Sequence, residues 1–355
     1  MNLSAVSEPG IPFAPLSYTC KRATSKLNLD GRLDKPFWEH APWTADFVDI
    51  EGDLKPKPSK RTRVKMLWDD EYLYIGAELE EDEIWATLTE RESVIFYDND
   101  FEIFIDPDGD SHQYYEFEIN ALNTVWDLML VTPYRDGGPP INGWDIRGLQ
   151  TAVHIDGILN DPAGDNRRWS VEVAMPWKIL RECAPDQRSP EAGQYWRINF
   201  SRVQWQVDRD SGAYVKKINP DTGKPYPEDN WVWSPQGVIN MHYPEMWGFL
   251  HFVEESYGAD SDLSSFGMPS DEQVKWKLRQ LYYRQRNQYA ETGTFASKIE
   301  DMVPKDDPDQ ALAEWAYSSA NLLIETTTHS FRICASTVDG SGRYWIREDG
   351  KVWKE

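Results

Sequence analysis

The sequence predicts a mainly β protein: an antiparallel β-sandwich of jelly-roll type with a small helical C-terminal extension. Three observations point there. Many short segments alternate apolar and polar residues with period two, as half-buried strands do. Runs of turn-forming residues separate them. Few long helical patterns lie between them, which argues against alternating strand–helix units.

Residues 1–25 are irregular and Pro-rich, and residues 27–31 (LNLDG) open the ordered region. Residues 36–39 (PFWE) read as a short helical or turn element. Residues 64–68 (VKMLW) and 72–79 (YLYIGAEL) flank an Asp69-Asp70 turn and read as a hairpin. The clearest pair is 100–106 (DFEIFID) with 114–120 (YYEFEIN), joined by the turn formers of 107–113 (PDGDSHQ). Alternation places Phe101, Ile103 and Ile105 on one face with Tyr115, Phe117 and Ile119. It places Asp100 and Glu102 on the other with Glu116, Glu118 and Asn120. A strand pair with one greasy and one acidic face belongs in an antiparallel sandwich, the acidic face turned outward or lining a groove.

Further strands are expected at 125–130, 150–155, 169–175, 195–205 and 247–253, with a short helix at 176–180. In 195–205, Trp196, Ile198 and Phe200 share one face, and Arg197, Asn199 and Ser201 share the other. The character changes after about residue 255. Residues 258–270 read as a polar linker, and Ser270 begins a helix whose apolar set is Val274, Leu278, Leu281 and Tyr282. A second helical stretch is expected at 309–324, then strands at 331–338 and 344–346 and an Asp349-Gly350 turn. The expected division is an irregular segment (1–25), a sandwich (26–255) and a helical tail ending in a short β-hairpin (256–355). The tail's apolar faces are too small to stand alone, so it is expected to pack on the sandwich.

The chain has 37 basic and 60 acidic residues and a net charge of -23. A surface so acidic repels phosphate backbones and anionic lipid heads, which argues against nucleic acid and membranes as main partners. Neutral ligands and divalent cations remain. The 17 Trp and 17 Tyr serve a large core or stacking platforms for flat, weakly charged ligands such as pyranose rings. Cys20, Cys183 and Cys334 are widely spaced with no CxxC, so neither a zinc site nor a disulfide is expected. Residues 1–10 do not read as a signal peptide, so the chain is expected either to be intracellular or to have lost a leader. No stretch approaches the ~20 apolar residues of a membrane span.

Six stretches carry a resemblance: 29–38 (LDGRLDKPFW), 64–75 (VKMLWDDEYLYI), 100–106 (DFEIFID), 169–177 (WSVEVAMPW), 196–200 (WRINF) and 244–248 (PEMWG). In this order, across residues 26–253, the chain resembles the family 9 carbohydrate-binding modules, as a divergent branch with an added C-terminal region. The resemblance implies a β-sandwich that binds oligo- or polysaccharides, often at a chain end, beside polysaccharide-degrading enzymes in a secreted or periplasmic setting. It also implies structural calcium; no organic cofactor is expected. In that family two tryptophans sandwich a terminal sugar, and acidic, amide and basic side chains hold its hydroxyls. Carried over, Glu102 matches the glutamate that follows the first tryptophan, whose own place falls near Phe96 or Tyr97. Asn120 matches a strand asparagine, Glu118 stands where the family has an arginine, and Met241 and His242 stand near the second tryptophan.

Glu102, Glu118 and Asn120 are thus candidate sugar-hydroxyl partners, with carboxylates accepting paired bonds. The alternative is a solvated strand face balanced by Arg197 and Arg202. Arg197 is the basic candidate of that face. Trp205, Trp231 and Trp233 lie in or beside the Pro- and Gly-rich stretch 207–237, and one of them, or Trp126 or Trp144, is a candidate platform, although for any single one the core reading is favoured. Asp106, Asp108 and Asp110 form an oxygen-rich turn that suits calcium or a plain acidic hairpin loop, and Asp98 with Asp100 is a second candidate. Met241 and His242 are adjacent, so their side chains diverge and a shared haem is not expected. Two other functions stay open. A glycoside hydrolase or lyase would use paired carboxylates, for which Glu102, Glu116 and Glu118 are grouped, although no GxSxG or HExxH occurs. A structural or protein-interaction module would use the tail.

Overall fold

The computed structural model describes residues 4–254, 267–319, 322–337 and 339–355. Most of the expected 258–270 linker, the boundary after residue 255 and the end of the expected 331–338 strand lie outside the described residues.

The alternating segments form strands that bury their apolar face. One antiparallel layer runs Val125–Leu130, Tyr114–Asn120, Asp100–Asp106, Tyr195–Gln204 and Gly248–Phe252. The other runs Thr62–Trp68, Tyr72–Glu80, Arg168–Pro176 and Gln150–Asp156. Between them Phe101, Ile103, Ile105, Tyr115, Phe117 and Ile119 meet Val64, Ile75, Val171 and Val173 in the main core. The sandwich is not antiparallel throughout. Ser17–Arg22 runs parallel to Gly248–Phe252 with its first residues and parallel to Thr62–Trp68 with its last two. One strand thereby satisfies an edge of each layer and merges them into a single curled mixed sheet. Gly248 is required at this seam: a Cβ there would stand 2.4 Å from the Trp233 ring and 2.9 Å from the Leu16 carbonyl oxygen.

The C-terminal region holds more strand than its sequence suggests. After the long helix Ser270–Thr292 and the helix Gln310–Ser318, Leu323–Thr326, Phe331–Ser336, Arg343–Arg347 and Val352–Lys354 form a four-stranded antiparallel sheet. Residues 323–324 are therefore strand, not the end of a helix, because the β-branched Ile324 and Thr326 pair with Ile333 and Phe331. Val274, Leu278, Leu281, Tyr282 and Tyr283 pack on Ile333, Ala335, Ile346 and Val352, and this second core takes in Val6, Tyr243 and Met246. Buried polar links tie it to the sandwich. Arg197 pairs with Glu272 at 2.8 Å, Arg286 with Asp136, and Glu245 with Arg135 and the Tyr283 hydroxyl. No described helix is long and apolar enough to cross a membrane. Cys20, Cys183 and Cys334 are unpaired.

Candidate functional site

Strand register assembles the site. Glu102 sits opposite Glu118 on one side and Ser201 on the other, and Glu118 in turn sits opposite Trp126. Asp100 sits opposite Asn120. All these positions lie on the outer face, as period two demands. That face is divided. Phe104, Tyr114, Leu128 and Leu130 are covered by Ile50, Val232, Met241 and Trp247 in a small apolar cluster. Next to it the acidic positions remain in a groove of about 300 Å³.

Glu102, Glu116 and Glu118 line this groove beside Phe96, Trp126 and Tyr134, with Ile239, Met241 and His242 along one side. Each carboxylate is at least nine-tenths buried, and Asp100, behind them, is fully so. Burial pushes Glu102 up to about 7 and carries Asp100, Glu116 and Glu118 well above the carboxylate range, with the neighbouring carboxylates adding to the shift of these three. Glu118 accepts the Phe96 backbone N–H at 3.0 Å, and Asp100 accepts that of Val203 at 3.3 Å. One oxygen of Asp100 and one of Glu116 have no hydrogen-bond partner. The aromatic walls are accessible: Phe96 and Trp126 are half-buried and Tyr134 is 45% exposed. Burial, then Glu116 and Glu118, raise the Tyr134 phenol to about 12. Burial and Arg135 press His242 down to about 3, so it is a neutral imidazole bonded to the Tyr114 hydroxyl at 2.8 Å.

Six of the residues proposed from sequence thus meet in one groove: Phe96, Glu102, Glu118, Trp126, Met241 and His242. Tyr97 is at the rim, 55% exposed, its ring 4.7 Å from that of Phe96. Trp205 is a buttress. Its indole N–H donates to the Phe96 carbonyl at 2.8 Å, and Lys216 lies 3.2 Å over its ring.

The other candidates fall elsewhere. Asn120 is fully buried and spends its amide on the Leu88 carbonyl, Asp98 and the backbone N–H groups of Leu122 and Thr124, so it locks a turn. Asp98 accepts from Thr87 and Leu88 as well and belongs to the same lock. Arg197 is buried against Glu272 and the carbonyls of Glu245 and Trp247, and holds the C-terminal region. Trp231 and Trp233 are core residues, because Asp229–Val232 is a strand paired with Tyr195–Gln204 rather than a loop. Trp144 stacks on Tyr115 at 4.6 Å and bonds Glu182, away from the groove.

Three carboxylate groups among the described residues have oxygens within 4.8 Å of one another. In Glu92, Asp127 and Asp145, Arg91 already pairs with all three. In Asp106, Asp108 and Asp110 the backbone N–H groups of Gly109, Asp110, Ser111 and His112 and the Lys351 ammonium engage the oxygens. The third group is Asp100, Glu102 and Glu118. Sequence reasoning missed Tyr134, which opens the single 3-10 turn Tyr134–Asp136, and Ile239, which lies in a loop; neither has a periodicity to mark it.

Residues 29–189 match the family described as carbohydrate family 9 binding domain-like. No curated protein matches the chain. Among solved structures, a candidate carbohydrate-binding protein of Bacteroides uniformis is 15% identical, with TM-score 0.48 over 67% of this chain and 100% of its own. A family 9 carbohydrate-binding module of Caldicellulosiruptor kristjanssonii in complex with cellotriose is 16% identical, with TM-score 0.42 over 70% of this chain and 99% of its own. The same organism's module in complex with glucose is 15% identical, with TM-score 0.42 over 68% and 100%.

Proposed function

We propose, from the match of residues 29–189 to the carbohydrate family 9 binding domain-like family, that this protein recognises carbohydrate in the Phe96–Trp126–Tyr134 groove without transforming it. The observation that carries the reading is three aromatic side chains set around a floor of carboxylates, one of which, Glu116, has an oxygen without a partner. Sugar rings need both. Their C–H faces lie on aromatic rings, and their hydroxyls donate to carboxylates, which accept two at a time. The volume is at the lower end for small-ligand sites, which suits a chain end better than an extended run. The wider setting we infer is recognition of oligo- or polysaccharide during glycan breakdown, outside the cytoplasm.

Hydrolysis is less well served. Two-carboxylate glycosidases place the groups on either side of the bond, about 5–5.5 or 6.5–9.5 Å apart, with one proton donor and one ionised partner. Here Glu102 and Glu118 share one floor, with oxygens closer than that, and burial raises both.

Calorimetry of the full chain with calcium chloride against xylo-, cello-, manno- and pectic oligosaccharides tests the reading. Saturable binding of at least one series is expected. No heat from any series removes the proposal, and release of reducing ends that Glu102→Gln abolishes replaces it with hydrolysis.

A further inference from the structure

We infer that Asp100, Glu102 and Glu118 hold one calcium ion in the floor of the groove, with coordination positions left open to the hydroxyls of a bound sugar. The second half of this inference rests on the sugar-binding reading; the first half does not.

The geometry comes first. Oxygens held at about 2.4 Å by one ion lie within about 4.8 Å of each other. The carboxylate oxygens of these three residues meet that limit. They come from two neighbouring strands, so the sheet itself sets their spacing.

Charge comes next. The three side chains are no more than 5% exposed, and Glu116, beside them, is 6% exposed. Among the described residues no ion pair involves any of the four, whereas the two other carboxylate groups found there have Arg91 or Lys351 at hand. Buried carboxylates left without a cation are strongly disfavoured.

The third observation is independent of the first two. One oxygen of the fully buried Asp100 and one of Glu116, which is not among the three, have no donor. Buried polar atoms without a partner call for an unseen one. A proton on one carboxylate would relieve a single contact, whereas a divalent cation relieves all three and gives the spare Asp100 oxygen a partner.

The donors are all oxygen, which selects a hard cation. Calcium takes six to eight oxygens in irregular arrangements, while magnesium demands a near-ideal octahedron and keeps its waters. Three carboxylates leave a calcium shell incomplete. Its open side is the groove, because Glu102, Glu116 and Glu118 line it. Two adjacent hydroxyls of a pyranose are the right neutral oxygens to complete the shell.

The test is titration of chelator-treated full chain with calcium chloride alone. Asp100→Asn and Glu118→Gln keep the oxygens that accept the Val203 and Phe96 N–H groups, so both are expected to fold, checked by circular dichroism. Wild type is expected to bind one more equivalent of calcium than either variant, and calcium to raise its melting temperature but not theirs. Asp108→Asn is expected to retain that equivalent. Equal stoichiometry in wild type and both variants overturns the site. Sugar affinity is then measured with calcium and with chelator, and a loss of tenfold or more in chelator is expected. Unchanged affinity overturns the link between ion and sugar while leaving sugar binding intact. Calcium binding at this site with no sugar bound under either condition leaves the ion in place and removes the sugar reading instead.

Discussion

Glu102 and Glu118 face each other across neighbouring antiparallel strands, both at least 95% buried, with no basic side chain among the charges that act on them most. Like charges set opposite on a sheet are destabilising by up to about 1 kcal/mol even where water screens them. Glu118→Gln removes both the repulsion and the proton uptake that burial and the facing Glu102 impose on this carboxyl, and keeps the oxygen that Phe96 uses. In chelator the variant is therefore expected to melt about 2 °C or more above wild type. A lower melting temperature would show that the Glu118 carboxylate is stabilised by something else.

Trp126 is the aromatic that shares a rung with this pair, opposite Glu118. Trp126→Ala is expected to weaken sugar binding about tenfold or more, ~1.4 kcal/mol. Trp144→Ala, which removes a ring stacked on Tyr115 outside the groove, is expected to leave affinity unchanged. Calorimetric affinities of the two variants decide; the reverse order would move the sugar to another face.

The Arg197–Glu272 pair joins the sandwich to the long C-terminal helix, with both side chains at most 4% exposed. Removing one partner of a buried pair leaves the other charge stranded, which costs about 3–5 kcal/mol. Arg197→Met is expected to lose that much in urea unfolding, and Arg197→Met with Glu272→Met to recover most of it. If the double variant is no more stable than the single one, the pair is not the coupling that matters.

Acid should loosen the same junction. Burial opposes the charge on Glu272, but Lys275 and Arg197 outweigh it and hold the carboxyl at about 2, against 4.5 ordinarily. A group held lower in the folded state stabilises it above the unfolded value, and that contribution fades as pH falls toward the folded one. It amounts to about 3 kcal/mol. The stability gap between wild type and Glu272→Gln is expected to be full at about pH 6 and much smaller at about pH 3. A gap that stays constant over that range would contradict the assignment.

Period-two patterning determined much of the fold by local rules. The alternation in 100–106 and 114–120 set which side chains face the core, and it placed Glu102 and Glu118 on the opposite face. Tertiary structure decided what that outer face became. Segments distant in sequence, residues 48–50 and 238–247, cap its apolar half and turn the acidic half into a buried groove rather than a wet surface. Trp231, Trp233 and Arg197 show the limit from the other side. A tryptophan's sequence neighbours do not say whether it stacks or packs, and an arginine's do not say whether a glutamate 75 residues away will claim it. Those outcomes depend on which long-range partners reach the side chain, and only the folded chain brings them together.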